Sequence, residues 1–155
     1  MRTLNAWLNE YSESHSNGLN TLIHWICVPL IQFSLLGLLW PLQTPAVLND
    51  LLFPSNWSIT AVLFGSVYYF ILSPAIALGM IGVCGCMLLL IEWLDSMPLV
   101  LWQVCLIIFI LAWTGQFIGH VVEGRRPSFF RDVQFLLIGP LWLLAKIYRK
   151  LKISY

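Results

Sequence analysis

The sequence predicts an all-α, polytopic membrane protein: a bundle of four transmembrane helices with an interfacial amphipathic helix at each end. Hydrophobic residues make up 59% of the 155 residues, and the mean hydropathy is +0.83. Charged residues make up only 10%, whereas a soluble domain carries about 25%, so this chain cannot cover a water-facing surface. Apolar segments of roughly spanning length alternate with short polar turns. We interpret residues 1–155 as a single membrane domain.

The first twenty residues are polar but carry one apolar face. Leu4, Trp7, Leu8 and Tyr11 are spaced as on one side of a short helix. This pattern predicts an amphipathic helix that lies on the membrane surface. The first predicted span, residues 21–42, follows directly and contains no charged residue.

Three further spans are predicted at 57–73, 75–94 and 98–120, each bounded by polar or proline-containing turns. Asn56 or Ser55 is expected to cap the start of the second span, because both side chains can accept a hydrogen bond from a free backbone N–H.

The last segment, residues 133–150, is expected to be an interfacial or re-entrant helix with a cationic end. Its apolar part is too short to span a bilayer by itself, and Pro140 interrupts it. A fifth span shared with the C-terminal tail is the alternative.

The basic residues predict the orientation in the membrane. Of eight Lys and Arg residues, only Arg2 precedes Arg125. An excess of basic residues marks the cytoplasmic side, so four spans would place both termini in the cytoplasm. The expected location is a bacterial inner membrane or the endoplasmic reticulum. No basic arm with interleaved aromatic residues is present, so nucleic acid is not expected as a partner.

The chain has three histidines, and the predicted topology places all of them at the cytoplasmic boundary. His15 precedes the first span, His24 lies in its first turns, and His120 ends the fourth. Each alone has an ordinary interpretation, such as a loop residue or a helix-end cation. Three at one depth predict a metal site, because neutral imidazoles suit Fe(II), zinc or copper and leave open coordination positions.

Polar side chains accompany the histidines. Asn20 lies one turn before His24 and Gln116 one turn before His120, while Glu123 lies one turn after His120. Polar groups at membrane depth are costly and usually functional. We therefore expect these three residues to take part in catalysis, to complete the metal ligands or to orient an imidazole.

Two other features near His120 suggest how an amphiphile would bind. Arg125 and Arg126 can pair with a carboxylate or phosphate, although anchoring to anionic lipid is an equal alternative. Gly115 and Gly119 form a small-residue pair that lets another helix approach closely. The gap beside these glycines is a candidate site for an acyl chain.

The two ends of the chain resemble a known family. The first end fits the pattern Y-x3-H-x4-N-x3-H-x4-P at Tyr11, His15, Asn20, His24 and Pro29. The segment QFIGHVVEGRRPSFFRDVQFLLIGPLWLLAKI is similar to the C-terminal half of the same family. These are the membrane 2-hydroxy fatty acid dioxygenases related to the fungal endoplasmic-reticulum protein of phytosphingosine metabolism.

The resemblance implies an Fe(II)-dependent dioxygenase of fatty acid α-oxidation that needs no 2-oxoglutarate. Such an enzyme uses dioxygen to shorten a 2-hydroxy fatty acid by one carbon. The family's histidines fall on His15, His24 and His120, which would be the iron ligands. Asn20, Gln116 and Glu123 match motif positions, and their roles are only proposed.

Two other function classes remain open at this point. A zinc-dependent lipid hydrolase would use the same three histidines to activate water. A non-enzymatic small membrane protein would use them for pH sensing or packing. Glycine-rich helix faces would suit a homodimer, but they equally suit packing within the bundle.

Overall fold

A computed structural model describes residues 2–47, 56–124 and 134–155 of the chain. We number six helices in chain order: α1 (Leu4–Glu13), α2 (Gly18–Leu39), α3 (Trp57–Leu72), α4 (Pro74–Asp95), α5 (Leu101–Glu123) and α6 (Phe135–Lys150). These ranges contain no β-strand, which confirms the all-α prediction for the part of the chain that is described.

Three of these helices are long and apolar enough to cross a membrane. They are α2 and α4, with 22 residues each, and α5, with 23. Helix α3 is apolar but has only 16 residues, so it extends about 24 Å and falls short of a hydrocarbon core about 30 Å thick. The prediction of four transmembrane helices is therefore not confirmed, because the helix at the second predicted span is shorter than the hydrocarbon core is thick.

The turns around α3 form for local reasons that the sequence shows. The Asn56 side chain accepts a hydrogen bond of 3.1 Å from the backbone N–H of Ile59, so Asn56 is the cap at this end. Ser55 lies outside the described residues. Ser73 ends α3 and caps α4, and Pro74 occupies the first turn of α4, where its missing N–H leaves no hydrogen bond unmade. Helices α3 and α4 thus form a tight antiparallel pair.

Helices α2 and α5 form the most extensive helix pair of the bundle. A Cβ atom added to Gly115 would lie 2.7 Å from the Cys27 sulfur, and one added to Gly119 would collide with the Asn20 side chain. The predicted close approach at these glycines is confirmed. The predicted acyl-chain gap beside them is wrong, because α2 fills that space. This packing holds the first turns of α2 against the last turns of α5.

Helix α1 has the predicted apolar face, but other helices cover it. Its buried residues are Leu4, Trp7, Leu8 and Tyr11. The Trp7 and Tyr11 rings lie 5.2 and 5.9 Å from the Phe135 ring of α6. The apolar face is therefore removed from water inside the protein, against α6, and does not face lipid. The placement of α1 at a membrane surface stays a prediction.

Helix α6 lies against α1, α2 and α4 at the end of the bundle where α2 begins and α5 ends. Pro140 is inside the helix without ending it. The Tyr69 hydroxyl of α3 donates a hydrogen bond of 2.9 Å to the Leu137 carbonyl, and the Tyr148 hydroxyl donates one of 3.1 Å to the Ala75 carbonyl. These bonds tie α6 to the α3–α4 pair, so α6 closes this end of the bundle. Its interfacial placement in a bilayer stays a prediction.

Candidate metal centre

The three histidines meet at the end of the bundle that α6 closes. His15 follows α1, His24 lies in the second turn of α2, and His120 lies in the last turn of α5. Their side chains are 5%, 0% and 5% exposed, respectively. One ring nitrogen from each lies within 4.8 Å of the other two. The predicted convergence of the three imidazoles is confirmed.

Backbone carbonyls fix the proton positions of two imidazoles. Nδ1 of His15 lies 2.6 Å from the Tyr11 carbonyl oxygen, and Nδ1 of His24 lies 2.9 Å from the Asn20 carbonyl oxygen. A carbonyl oxygen only accepts, so each Nδ1 must carry the hydrogen. Each Nε2 of a neutral ring is then left with a lone pair.

The two Nε2 atoms of His15 and His24 lie 2.8 Å apart. Two lone pairs at this distance repel each other unless a proton or a metal ion lies between them. Burial of the ring, with His24 close by, lowers the pKa of His15 to about 3, so a proton is disfavoured at neutral pH. Metal-bound histidines usually donate their other ring N–H to a carbonyl or carboxylate, and both rings do so here.

His120 offers the third nitrogen. Its Nδ1 is buried and has no hydrogen-bond partner among the described residues, whereas the great majority of buried side-chain polar atoms have one. One ion can join nitrogens up to about 4.2 Å apart, which is twice a metal–nitrogen bond. The three histidine nitrogens lie within 4.8 Å of one another. A shift of less than an ångström would therefore bring all three to one ion. The residues present fit a bound metal.

Aromatic rings pack around His15 and limit its movement. The Tyr11 ring stacks on the imidazole, with centroids 4.1 Å apart and planes at 9°. The Trp142 ring of α6 lies 5.3 Å from the same imidazole, and its Nε1 donates a 2.8 Å hydrogen bond to the Ser12 hydroxyl. Sequence reasoning missed Trp142, because a tryptophan in an apolar helix carries no signal of its neighbours.

Glu123 joins the loop between α1 and α2 to the end of α5. Its carboxylate accepts hydrogen bonds from the Ser16 backbone N–H at 2.9 Å, the Ser16 hydroxyl at 2.5 Å, the Asn17 N–H at 2.9 Å and the Asn20 side-chain amide at 3.0 Å. The carboxylate also lies at the start of α2, where the helix dipole favours a negative charge. Three of the four bonds reach the loop next to His15, and the fourth reaches Asn20 in the first turn of α2.

Asn20 connects this carboxylate to the metal centre. Its side chain is fully buried, and its amide group also donates a 3.2 Å hydrogen bond to the Ser14 carbonyl. Its own backbone carbonyl accepts the His24 Nδ1–H. Asn20 and Glu123 thus lie beside the histidines in a network that holds the site together.

The other predicted site residues have different outcomes. Gln116 is buried one turn from His120, and both residues line a cavity that is described below. Arg125 and Arg126 lie outside the described residues, so their role in substrate binding stays a prediction.

A cavity of about 310 Å³ adjoins the imidazoles. Both His15 and His120 line it, and most of its remaining wall is apolar. Small-molecule sites in proteins range from about 300 to 1,000 Å³, so this cavity is at the lower end of that range. A ligand in it would contact the histidines with one end.

Comparisons with known proteins identify the family of this chain. A family model described as 2-hydroxy-palmitic acid dioxygenase Mpo1-like matches residues 1–151. The 2-hydroxy-palmitic acid dioxygenase MPO1 of Saccharomyces cerevisiae is 30% identical over 152 residues, which cover 96% of this chain and 81% of the yeast protein. No solved structure matches the chain at a significant level. The chain, with its three histidines inside the matched region, belongs to the Mpo1-like family.

Proposed function

We propose that this protein is an Fe(II)-dependent dioxygenase that shortens 2-hydroxy fatty acids by one carbon, with His15, His24 and His120 as the metal ligands. The observation that carries the proposal is the pair of Nε2 atoms that face each other at 2.8 Å. A third buried imidazole lies beside them. The yeast relative is named as an enzyme that acts on 2-hydroxy-palmitic acid, which supports this substrate class.

The residues of the site suit Fe(II) and exclude bulk water. Neutral imidazoles are among the ligands that iron accepts, and three of them leave positions for other ligands. When bound, Fe(II) would supply the activation of dioxygen beside the C1–C2 bond of the acid. The Tyr11 and Trp142 rings cover His15, so the protein keeps the reacting end of the substrate in a largely dry pocket.

The substrate would supply its own electrons. A 2-hydroxy acid and dioxygen balance against a fatty acid one carbon shorter, carbon dioxide and water. No reducing co-substrate such as 2-oxoglutarate is needed for this balance. We assign the substrate carboxylate to Arg125 or Arg126, which follow α5 directly in the sequence and whose guanidinium groups bind carboxylates bidentately.

The test is product analysis with and without oxygen. Purified protein loaded with Fe(II) is given 2-hydroxyhexadecanoic acid in air and under argon. We expect pentadecanoic acid and oxygen uptake in air, and no product under argon. No product in air, or the same product under argon, would contradict the proposal. A zinc-dependent hydrolase of lipid esters would leave the free acid unchanged in both atmospheres.

A further inference from the structure

The cavity beside the histidines extends well into the bundle. On α5 its wall is formed by His120, Gln116, Trp113 and Phe109, which follow one face of the helix. His120 and Phe109 are eleven positions apart in the sequence, which corresponds to about 16 Å along the helix axis. The cavity is therefore elongated, with the imidazoles at one end.

Helix α3 forms the opposite wall and keeps the cavity open. This helix packs mainly against α4. Gly65 and Tyr69 of α3 both line the cavity and are one helical turn apart. The Tyr69 hydroxyl is hydrogen-bonded to α6, near the end of the cavity that holds the histidines. A Cβ atom added to Gly65 would have no atom within 4 Å. Gly65 therefore borders open space rather than a packed neighbour, unlike Gly119 on α5.

Two polar side chains in the middle of the wall already have hydrogen-bond partners. The Gln32 amide donates a 3.1 Å hydrogen bond to the Cys84 sulfur, and the Ser66 hydroxyl donates one of 2.7 Å to the Val62 carbonyl. These groups do not need a polar ligand. Away from the histidines the cavity is thus suited to an alkyl chain.

The end of the cavity farthest from the histidines opens at the surface of the helices. Leu35 lines the cavity and is 46% exposed, and Ala61 on α3 is also exposed. Both residues lie on apolar helices, so the opening has an apolar rim. A long chain can extend through this opening without leaving apolar surroundings.

We propose that this cavity holds the acyl chain of the 2-hydroxy fatty acid, and that Gly65 keeps the passage wide enough for long chains. The proposal rests on the proposed function for the identity of the ligand. The polar end of the acid lies at the histidine end of the cavity, and the alkyl chain passes Gly65 toward Leu35 and Ala61. Substrate length is therefore controlled at α3 rather than at the metal centre.

The test compares Gly65→Phe and Gly65→Leu with Gly82→Phe. Gly82 is a matched control because it is exposed on α4, does not line the cavity and also has no atom within 4 Å of an added Cβ. The measured quantity is kcat/KM for 2-hydroxyhexadecanoic and 2-hydroxyoctanoic acids, with iron content beside it.

We expect Gly65→Phe to lower kcat/KM for the sixteen-carbon acid at least about tenfold, which is in the range that a changed pocket contact produces. The eight-carbon acid and the iron content should be nearly unchanged, with a smaller effect in Gly65→Leu and none in Gly82→Phe. Equal loss for both acids with normal iron content, or no loss for the longer acid, would overturn the proposal.

A second measurement keeps this proposal separate from the proposed function, because it needs no turnover. A 2-hydroxy fatty acid with a photoreactive group in the middle of its chain is crosslinked to the protein, and the labelled peptides are identified. We expect labels on α3 and α5 around Gly65, Phe109 and Trp113, reduced in Gly65→Phe and retained in Gly82→Phe. Labels confined to other parts of the chain would overturn the proposal, whether or not the protein is an enzyme.

Discussion

The site depends on which ring nitrogen of each histidine carries a hydrogen. The Tyr11 and Asn20 carbonyls take the Nδ1 hydrogens of His15 and His24, so both Nε2 atoms point at one position. The carbonyl of residue i−4 is within reach of each of these rings because α1 and the first turn of α2 precede them. The local fold therefore presents the two lone pairs to each other, and the proposed metal ion would lie between them.

Glu123 is a residue whose role the structure sharpens. The sequence suggested catalysis, metal ligation or support, and the hydrogen bonds favour support. The carboxylate accepts from three donors of the α1–α2 loop and from the Asn20 amide in the first turn of α2. We expect Glu123→Gln to weaken Fe(II) affinity about 10- to 100-fold, as removal of groups that orient ligands does. Titration of the metal-free protein with Fe(II) measures this change.

Added Fe(II) distinguishes support from catalysis at Glu123. If the carboxylate only positions the histidines, saturating Fe(II) should restore most of the turnover of Glu123→Gln. The matched control is Glu10→Gln, since Glu10 forms an ion pair with Arg2 at the surface, at 2.7 Å. Unchanged affinity in Glu123→Gln would contradict the positioning role, and full occupancy without turnover would indicate direct catalysis.

At the scale of helices, the α2–α5 contact sets the distance between His24 and His120. Gly119 has no room for a side chain because Asn20 lies against it. We expect Gly119→Leu to force the helices apart at a cost of about 1–3 kcal/mol, as overpacking typically does. The variant should lose iron as well as thermal stability, measured by unfolding in detergent.

The control for this change is Gly82→Leu, at a position with open space around it. It should unfold at nearly the wild-type temperature and bind iron normally. A Gly119→Leu protein with wild-type stability and full iron content would show that the close approach of α2 and α5 is not required for the site.

The sequence predicted which segments form helices better than it predicted what covers them. The spacing of Leu4, Trp7, Leu8 and Tyr11 indicated an apolar face, but periodicity alone does not tell lipid from protein, and α6 covers this face. The glycine pair indicated close approach, but not that α2 would leave no gap. The cavity proposed for the acyl chain lies instead beside Gly65, where only the three-dimensional arrangement shows open space.

At the scale of the whole molecule, residues from both ends of the sequence form one site. The histidines could be grouped from the sequence because a hydropathy-based topology places them at one depth. The rings of Tyr11 and Trp142 around them depend on the docking of α1 on α6, which no local pattern specifies. Helices α2 and α5, which carry two of the three histidines, are long and apolar enough to cross a membrane, so under the proposed function we expect the substrate to reach the cavity from the bilayer.

The most direct test of this account is the metal content of the purified protein, handled without oxygen and loaded with Fe(II), beside His15→Ala, His24→Ala and His120→Ala. We expect about one iron per chain in the wild type, as one three-histidine site requires, and little or none in each variant while the protein remains folded in detergent. Absence of stoichiometric iron from the wild type after loading, or full retention in all three variants, would contradict the central claim that these histidines form an iron site.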